Sequence, residues 1–180
     1  IIIYRLGGWV SPLGINLVVD GLGLLIGIIV AGISTLVVIY SIVFMKDEGG
    51  LGQYYTLMLL LTAGMLGVAL TGDLFNLYVF FEIMSISSYA LVAFRRSKIS
   101  IEGSVKYLIV GSLGTTFILI GIALLYGITG TLNIADLAGK MAVVNTIPAS
   151  TPLILIIALT LFVVGFGMKI GMIPFHAWLP

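Results

Sequence analysis

Lys169 and Glu82 are the residues of this chain that packing explains least. Lys169 lies in the almost wholly apolar segment 153–173 and Glu82 in the apolar segment 74–94. An ionisable side chain at membrane depth costs at least about 2.5 kcal/mol, and more when it is unpaired. One residue of each sign inside such segments points to the movement of ions or protons through a bilayer. Desolvation disfavours the charged form of a lysine, and a nearby carboxylate favours it. A lysine whose carboxylate partner approaches and retreats is therefore a proton switch. The other reading of Lys169 is a snorkelling side chain, because it stands within about two turns of the expected helix end.

At helical spacing Glu82 shares a face with Phe75, Tyr78, Ser85 and Tyr89. A carboxylate, a serine and two tyrosines thus form one stripe, which faces protein or water rather than lipid. The bland alternative is a glutamate satisfied by these hydroxyls and serving only packing. Lys106 follows Glu102 by one helical turn, which fits either an interfacial ion pair or a relay group leading from the cytoplasm towards Glu82. Asp73, after Thr71-Gly72, reads first as a helix N-cap and second as an ion-access group at the outer surface. His176, beside Trp178, is either a proton relay or an interfacial anchor. Signatures of catalysis are absent: there is no HExxH, no GxSxG and no second histidine.

The elements that must position these residues follow from composition. The chain is 61% hydrophobic and 8% charged, too apolar for a soluble domain of its size. Long continuous apolar runs exclude a transmembrane β-barrel and give an all-α polytopic membrane protein. A net charge of +1 gives no nucleic-acid footprint. The lack of cysteine excludes a thiolate-bound iron–sulfur cluster within the chain, and the single histidine excludes a multi-histidine metal or haem site. No cofactor is expected.

Five spans are expected, at about 21–44, 54–70, 74–94, 103–126 and 152–173. Asp20 is the N-cap of the first, and Pro174 disrupts the last. Residues 1–19 read as an interfacial lead-in with Trp9 at headgroup level, and the polar connection 127–151 holds a short helix candidate at 134–144. Lys46, Arg95, Arg96 and Lys98 fall on one side, with Lys106 close by; Arg5 and Lys140 fall on the other. The positive-inside rule makes the 95–98 loop cytoplasmic and the protein a multi-pass inhabitant of a prokaryotic inner membrane. Glycines in the second and fourth spans read as packing residues. Gly165, Gly167 and Gly171 bracket Lys169 next to Pro174, which suggests a helix that bends or breaks at a charge. The first residue is not methionine, no signal peptide is visible, and the sequence is expected to be a piece of a longer polypeptide.

The segment Thr71-Gly72-Asp73-Leu74-Phe75-Asn76-Leu77-Tyr78-Val79-Phe80-Phe81-Glu82 resembles the glutamate-bearing segment of the D-type subunits of the multisubunit Mrp-type sodium/proton antiporters. Lys169-Ile170-Gly171-Met172-Ile173-Pro174-Phe175-His176-Ala177-Trp178-Leu179-Pro180 resembles the lysine helix of the same superfamily, and Gly8-Trp9, Gly14-Ile15 and Asp20 resemble the approach to its third span. The resemblance covers essentially the whole chain. The superfamily includes antiporter-like subunits of respiratory complex I, of membrane-bound hydrogenases and of related archaeal redox complexes. The resemblance implies that Glu82 matches the family's glutamate on its fifth span, Lys169 the lysine of the seventh and Lys106 the lysine near the start of the sixth. In that family the glutamate–lysine pair is thought to act as an electrostatic switch. Its odd-numbered spans run from outside to inside, which agrees with the orientation read from charges alone. The family has about fourteen spans with two inverted repeats of about five, so this chain corresponds to spans three to seven, one half-channel.

Three functions follow. The first is a proton-translocating antiporter-like subunit, with sodium–proton exchange as a variant, in which Glu82 and Lys169 are the switch, Lys106 a relay, and His176, Asp73, Ser85 and Tyr89 relay or access groups. Its partners would be other membrane subunits of an antiporter or redox-driven complex, protons, sodium ions and the lipid bilayer. The second is a non-conducting membrane scaffold of a redox complex such as a membrane-bound hydrogenase. The third, an electron-transfer or quinone-binding role, lacks a ligand set, and Phe80 and Phe81 read better as lipid-facing or packing residues. The chain holds no catalytic centre of its own and would serve, at most, a redox-driven pump of hydrogenase or NADH/quinone oxidoreductase type.

Overall fold

The computed structural model describes residues 1–142 and 151–178. Its elements in chain order are β1 (Ile2–Arg5), β2 (Asn16–Val19), α1 (Gly21–Phe44), α2 (Leu51–Leu70), α3 (Leu74–Val92), α4 (Lys98–Thr129), α5 (Ile134–Ala142) and α6 (Thr151–Lys169), with a final 3-10 turn at Phe175–Trp178. Five of the helices, all but α5, are long and apolar enough to cross a membrane. Inside lipid the backbone must satisfy its own hydrogen bonds, and a helix does so within one segment. Val143 and Val144 of the short helix candidate, the remainder of that connection to residue 150, and Leu179-Pro180 lie outside the described residues.

Polar caps set where the helices begin. Asp20 accepts from the Gly23 amide (2.6 Å) at the head of α1, and Asp73 accepts from the Asn76 amide (2.9 Å) at the head of α3. Ser97 accepts from the Ser100 amide (3.1 Å) and starts α4 at Lys98, earlier than the expected 103. The helix then runs on to Thr129, past the expected 126, where Gly130 caps it. Lys106 consequently stands in the third turn of α4 rather than at its start.

Residues 1–19, read from the sequence as an interfacial lead-in, hold the strands β1 and β2. β1 and β2 form an antiparallel hairpin in which Ile2 pairs with Val19 and Arg5 with Asn16. Branched residues on both strands favour this pairing. The hairpin anchors one end of the bundle. Gly72 donates to the Asn16 carbonyl (3.0 Å), Asn133 Nδ2 donates to Asn16 Oδ1 (3.0 Å), and Ser11 Oγ donates to Asp136 (2.6 Å). At the opposite, basic end Arg95 pairs with Glu48 (3.0 Å) and lies over the Phe44 ring, tying two loops together.

Each long helix packs on the next in sequence: α1 on α2, α2 on α3, α3 on α4, and α4 on α6. Small residues permit the close approach. Gly67 of α2 faces the Phe80 ring of α3, and Gly165 of α6 faces Gly114 and Ile118 of α4. A methyl group on Gly165 would stand 2.6 Å from the Gly114 carbonyl oxygen, against backbone that cannot swing aside. Gly165→Ala is therefore expected to destabilise the α4–α6 pair by about 1–3 kcal/mol, the scale of overpacking. Thermal unfolding of the purified protein that carries this chain checks this; an unchanged transition would mean the two helices do not meet at these glycines.

Candidate functional site

Three helices converge at Lys169. It is the last residue of α6, where a cation interacts favourably with the carbonyl end of the helix. The helix ends here, short of the expected 173, because Gly171 adopts φ +67°. The Met172 amide donates to the Gly167 carbonyl (2.9 Å) and the Gly171 amide faces the Met168 carbonyl (3.4 Å). This is the Schellman pattern, with glycine at the left-handed position. The break that the glycines and Pro174 suggest thus falls immediately after the charge. A side chain at Gly171 would be strained by about 1 kcal/mol, so Gly171→Ala is expected to lower the protein's melting temperature by a few degrees; a variant melting with the parent protein would contradict this ending of α6.

The Lys169 ammonium turns onto α3 rather than standing free at the basic end. It donates to Ser85 Oγ (2.5 Å) and to the Tyr89 hydroxyl (3.3 Å), and it lies 5.8 Å from the centre of the Tyr89 ring. Ser85 is 2% exposed and Tyr89 7%. Phe81 of α3 packs on Phe166 of α6 (5.7 Å), and Phe80 packs over Gly67, so both phenylalanines are packing residues.

Glu82 lies one turn before Ser85 on α3 and is half-buried. Its charge is within electrostatic range of Lys169, Tyr78 and Tyr89. The ion pairs formed among the described residues are Arg95–Glu48 and Lys106–Glu102, and Glu82 belongs to neither. Glu82 and Lys169 thus form no ion pair, and Ser85 and Tyr89 hold the lysine instead. Lys106 pairs with Glu102 (2.7 Å), both side chains well exposed. It also borders a cavity of about 390 Å³ with Met168, Phe175 and Trp178, which brings it to the end of α6. His176 is exposed in the 3-10 turn. Asp73 is buried at the far end of α3, occupied as the helix cap. Asp73→Ala is expected to cost about 1 kcal/mol, visible as a lower melting temperature. Among the described residues no three His, Asp or Glu side chains converge as a metal site would require.

Tyr107 and Gly111 do not stand out as site residues in the sequence. Tyr107 stacks on Trp178 and meets Tyr89 edge to face, and Gly111 lies against the Tyr89 hydroxyl, where a side chain would collide with it. The available signal is the buried face of α4, which recurs every three or four residues at Ser104, Gly111, Gly114, Thr115, Ile118, Gly121, Ile122 and Leu125.

Residues 71–180 match the family described as NADH:quinone oxidoreductase/Mrp antiporter, TM, and residues 9–55 match NADH-Ubiquinone oxidoreductase (complex I), chain 5 N-terminus. The chain is 41% identical to NADH-quinone oxidoreductase subunit N of Desulforudis audaxviator (strain MP104C), over 98% of this chain and 34% of that protein. It is also 41% identical to a Na(+)/H(+) antiporter subunit, of the D type, from Bacillus subtilis (strain 168), over 97% of this chain and 34% of that one. Among solved structures it is similar to a chain of the membrane-bound sulfane sulfur reductase (MBS), an archaeal respiratory membrane complex. That likeness has a TM-score of 0.83 and 36% identity, and it covers 98% of this chain and 35% of the other. The chain thus spans about a third of the length of the curated relatives it matches. Five apolar helices and these relatives make it a multi-pass cell-membrane protein. With a family match across the segment that carries Glu82, Ser85, Tyr89 and Lys169, the chain belongs to the NADH:quinone oxidoreductase/Mrp antiporter family of membrane subunits.

Proposed function

We propose that the chain is an ion-translocating, antiporter-like part of a multisubunit membrane complex, and that Lys169 and Glu82 form its electrostatic switch. One observation carries the proposal: an ammonium at a helix break hydrogen-bonds across to Ser85 of a second helix, one turn along that helix from the Glu82 carboxylate. Among the described residues every buried side-chain polar atom has a partner. A half-buried carboxylate outside the ion pairs of the described residues, one turn from the serine that holds the lysine, is an arrangement that can change state.

In the resting arrangement Lys169 rests on Ser85 and Tyr89. Movement of the ammonium towards Glu82, or loss of its proton, changes the charge seen along α3. A proton taken up at Lys169 and released when the pair separates gives one half of a path across the membrane. Lys106 lies at the basic end of this path, beside the α6 terminus, and His176 is exposed in the turn that follows α6; both are relay groups in this account. The basic end is cytoplasmic by the positive-inside rule. Ser85 accepts from the Lys169 ammonium, so Ser85→Ala is expected to slow transport about tenfold, the scale of one hydrogen bond to a charged group.

The named relatives, a Na(+)/H(+) antiporter subunit and an NADH-quinone oxidoreductase subunit, support proton movement and the presence of partner membrane subunits. Sodium–proton exchange fits the first of these names. The test is gradient formation in inverted membrane vesicles carrying the parent complex with Glu82→Gln, with assembly measured on the same membranes. Loss of the gradient from an assembled complex supports the switch. An undiminished gradient would make Glu82 a packing residue and the chain a scaffold.

A further inference from the structure

We propose that Tyr107 and Trp178 are positioning residues that hold the Tyr89 hydroxyl under the Lys169 ammonium, coupling the turn after α6 to the lysine. The proposal rests on the transport role of Lys169 given above. The Trp178 indole N–H donates to the Met168 carbonyl (3.0 Å), one residue before Lys169. The indole stacks on Tyr107 at 4.4 Å with the planes 3° apart. Tyr107 meets Tyr89 edge to face at 4.6 Å and 84°. Tyr89 then accepts from Lys169 (3.3 Å). The contacts close a ring: from the end of α6, through the 3-10 turn, across α4 to α3, and back to the end of α6.

The Tyr89 position is determined from several sides. Ser104 Oγ donates to its backbone carbonyl (2.8 Å), and Gly111 leaves the space its hydroxyl occupies. Aromatic pairs of this geometry are attractive beyond the area they bury. With Tyr89 fixed by Tyr107, and Tyr107 by Trp178, a displacement of the Phe175–Trp178 turn must move the acceptor that Lys169 uses. The turn becomes a lever on the switch, built from rings that do not themselves carry the proton.

The test is a double-mutant cycle in the whole parent complex, read as the pH gradient across inverted vesicles with a pH-sensitive dye and normalised to assembled complex. Tyr89→Phe, which removes only the hydroxyl, is expected to lower transport about tenfold, and Tyr107→Leu by a similar factor. In the Tyr89→Phe background Tyr107→Leu is expected to add no further loss, because it acts through that hydroxyl. Tyr107→Phe keeps the ring and is expected to retain parental transport. Trp178→Phe, which keeps the stack and loses the N–H to Met168, is expected to give an intermediate loss, also absent in the Tyr89→Phe background. Additive losses would overturn the proposal, as would parental transport in Tyr89→Phe. Lys169→Gln separates the two readings. If it abolishes transport while Tyr89→Phe does not, only the positioning role fails; if it leaves transport intact, the switch and the positioning role both fail.

Discussion

Lys169→Gln is expected to reduce ion movement by the assembled parent complex at least about a hundredfold, the lower range for removing a group that carries a proton in a reaction step. The ammonium is the donor to both Ser85 and Tyr89, and glutamine neither gains nor loses a proton at physiological pH. Lys169→Arg sharpens the expectation. Arginine keeps the positive charge but does not deprotonate in proteins. A lysine serving as an interfacial anchor, or as a charge that merely complements the end of α6, would be replaced by arginine with little loss. A lysine that must give up its proton or move between two partners would not. Both variants are expected to assemble and both to fail in gradient formation. Transport surviving in Lys169→Arg but not in Lys169→Gln would reduce the residue to a fixed charge.

Glu82→Gln is expected to have the next largest effect, a loss of about tenfold or more, since a charge in a medium of low effective dielectric acts strongly on its neighbour. The substitution preserves shape and removes only the charge. Glu82 belongs to neither of the ion pairs formed among the described residues, so its neutralisation breaks no pair. Removing a partially desolvated charge is instead neutral or mildly stabilising. The two readouts therefore separate: the melting temperature of the complex is expected to hold or rise while transport falls. A packing glutamate would show the opposite pattern, with lower stability and transport in proportion to the complex that remains.

Much of this arrangement is legible in the sequence because membranes make the code simple. The five apolar runs and the Asp20 cap need only hydropathy and an N-cap rule. The stripe of Glu82, Ser85 and Tyr89 follows from helical spacing, and the structure brings the last two to Lys169. What spacing along one helix does not contain is the distance between helices. It gives no sign that Lys169 reaches Ser85 and Tyr89 and forms no ion pair with Glu82. The early start of α4 is signalled by Ser97, but polar residues near a basic loop read equally well as loop. The hairpin at residues 2–19 is a long-range pairing, set by Asn16 meeting the turn at Gly72 and the connection at Asn133, and local pattern does not encode it. Trp178 reads from sequence only as a neighbour of His176 at the interface, because its partners, Tyr107 and the Met168 carbonyl, come from another helix and from the far side of a helix break.

The central claim is that Lys169 has two positions, one on Ser85 and Tyr89 and one nearer Glu82. The most direct measurement is an experimental structure of the parent complex in membranes at two pH values spanning its working range. The account predicts Lys169 Nζ within hydrogen-bond distance of Ser85 under one condition and displaced towards the Glu82 carboxylate under the other. A lysine resting on Ser85 and Tyr89 under both, in a complex that transports ions throughout, would contradict it.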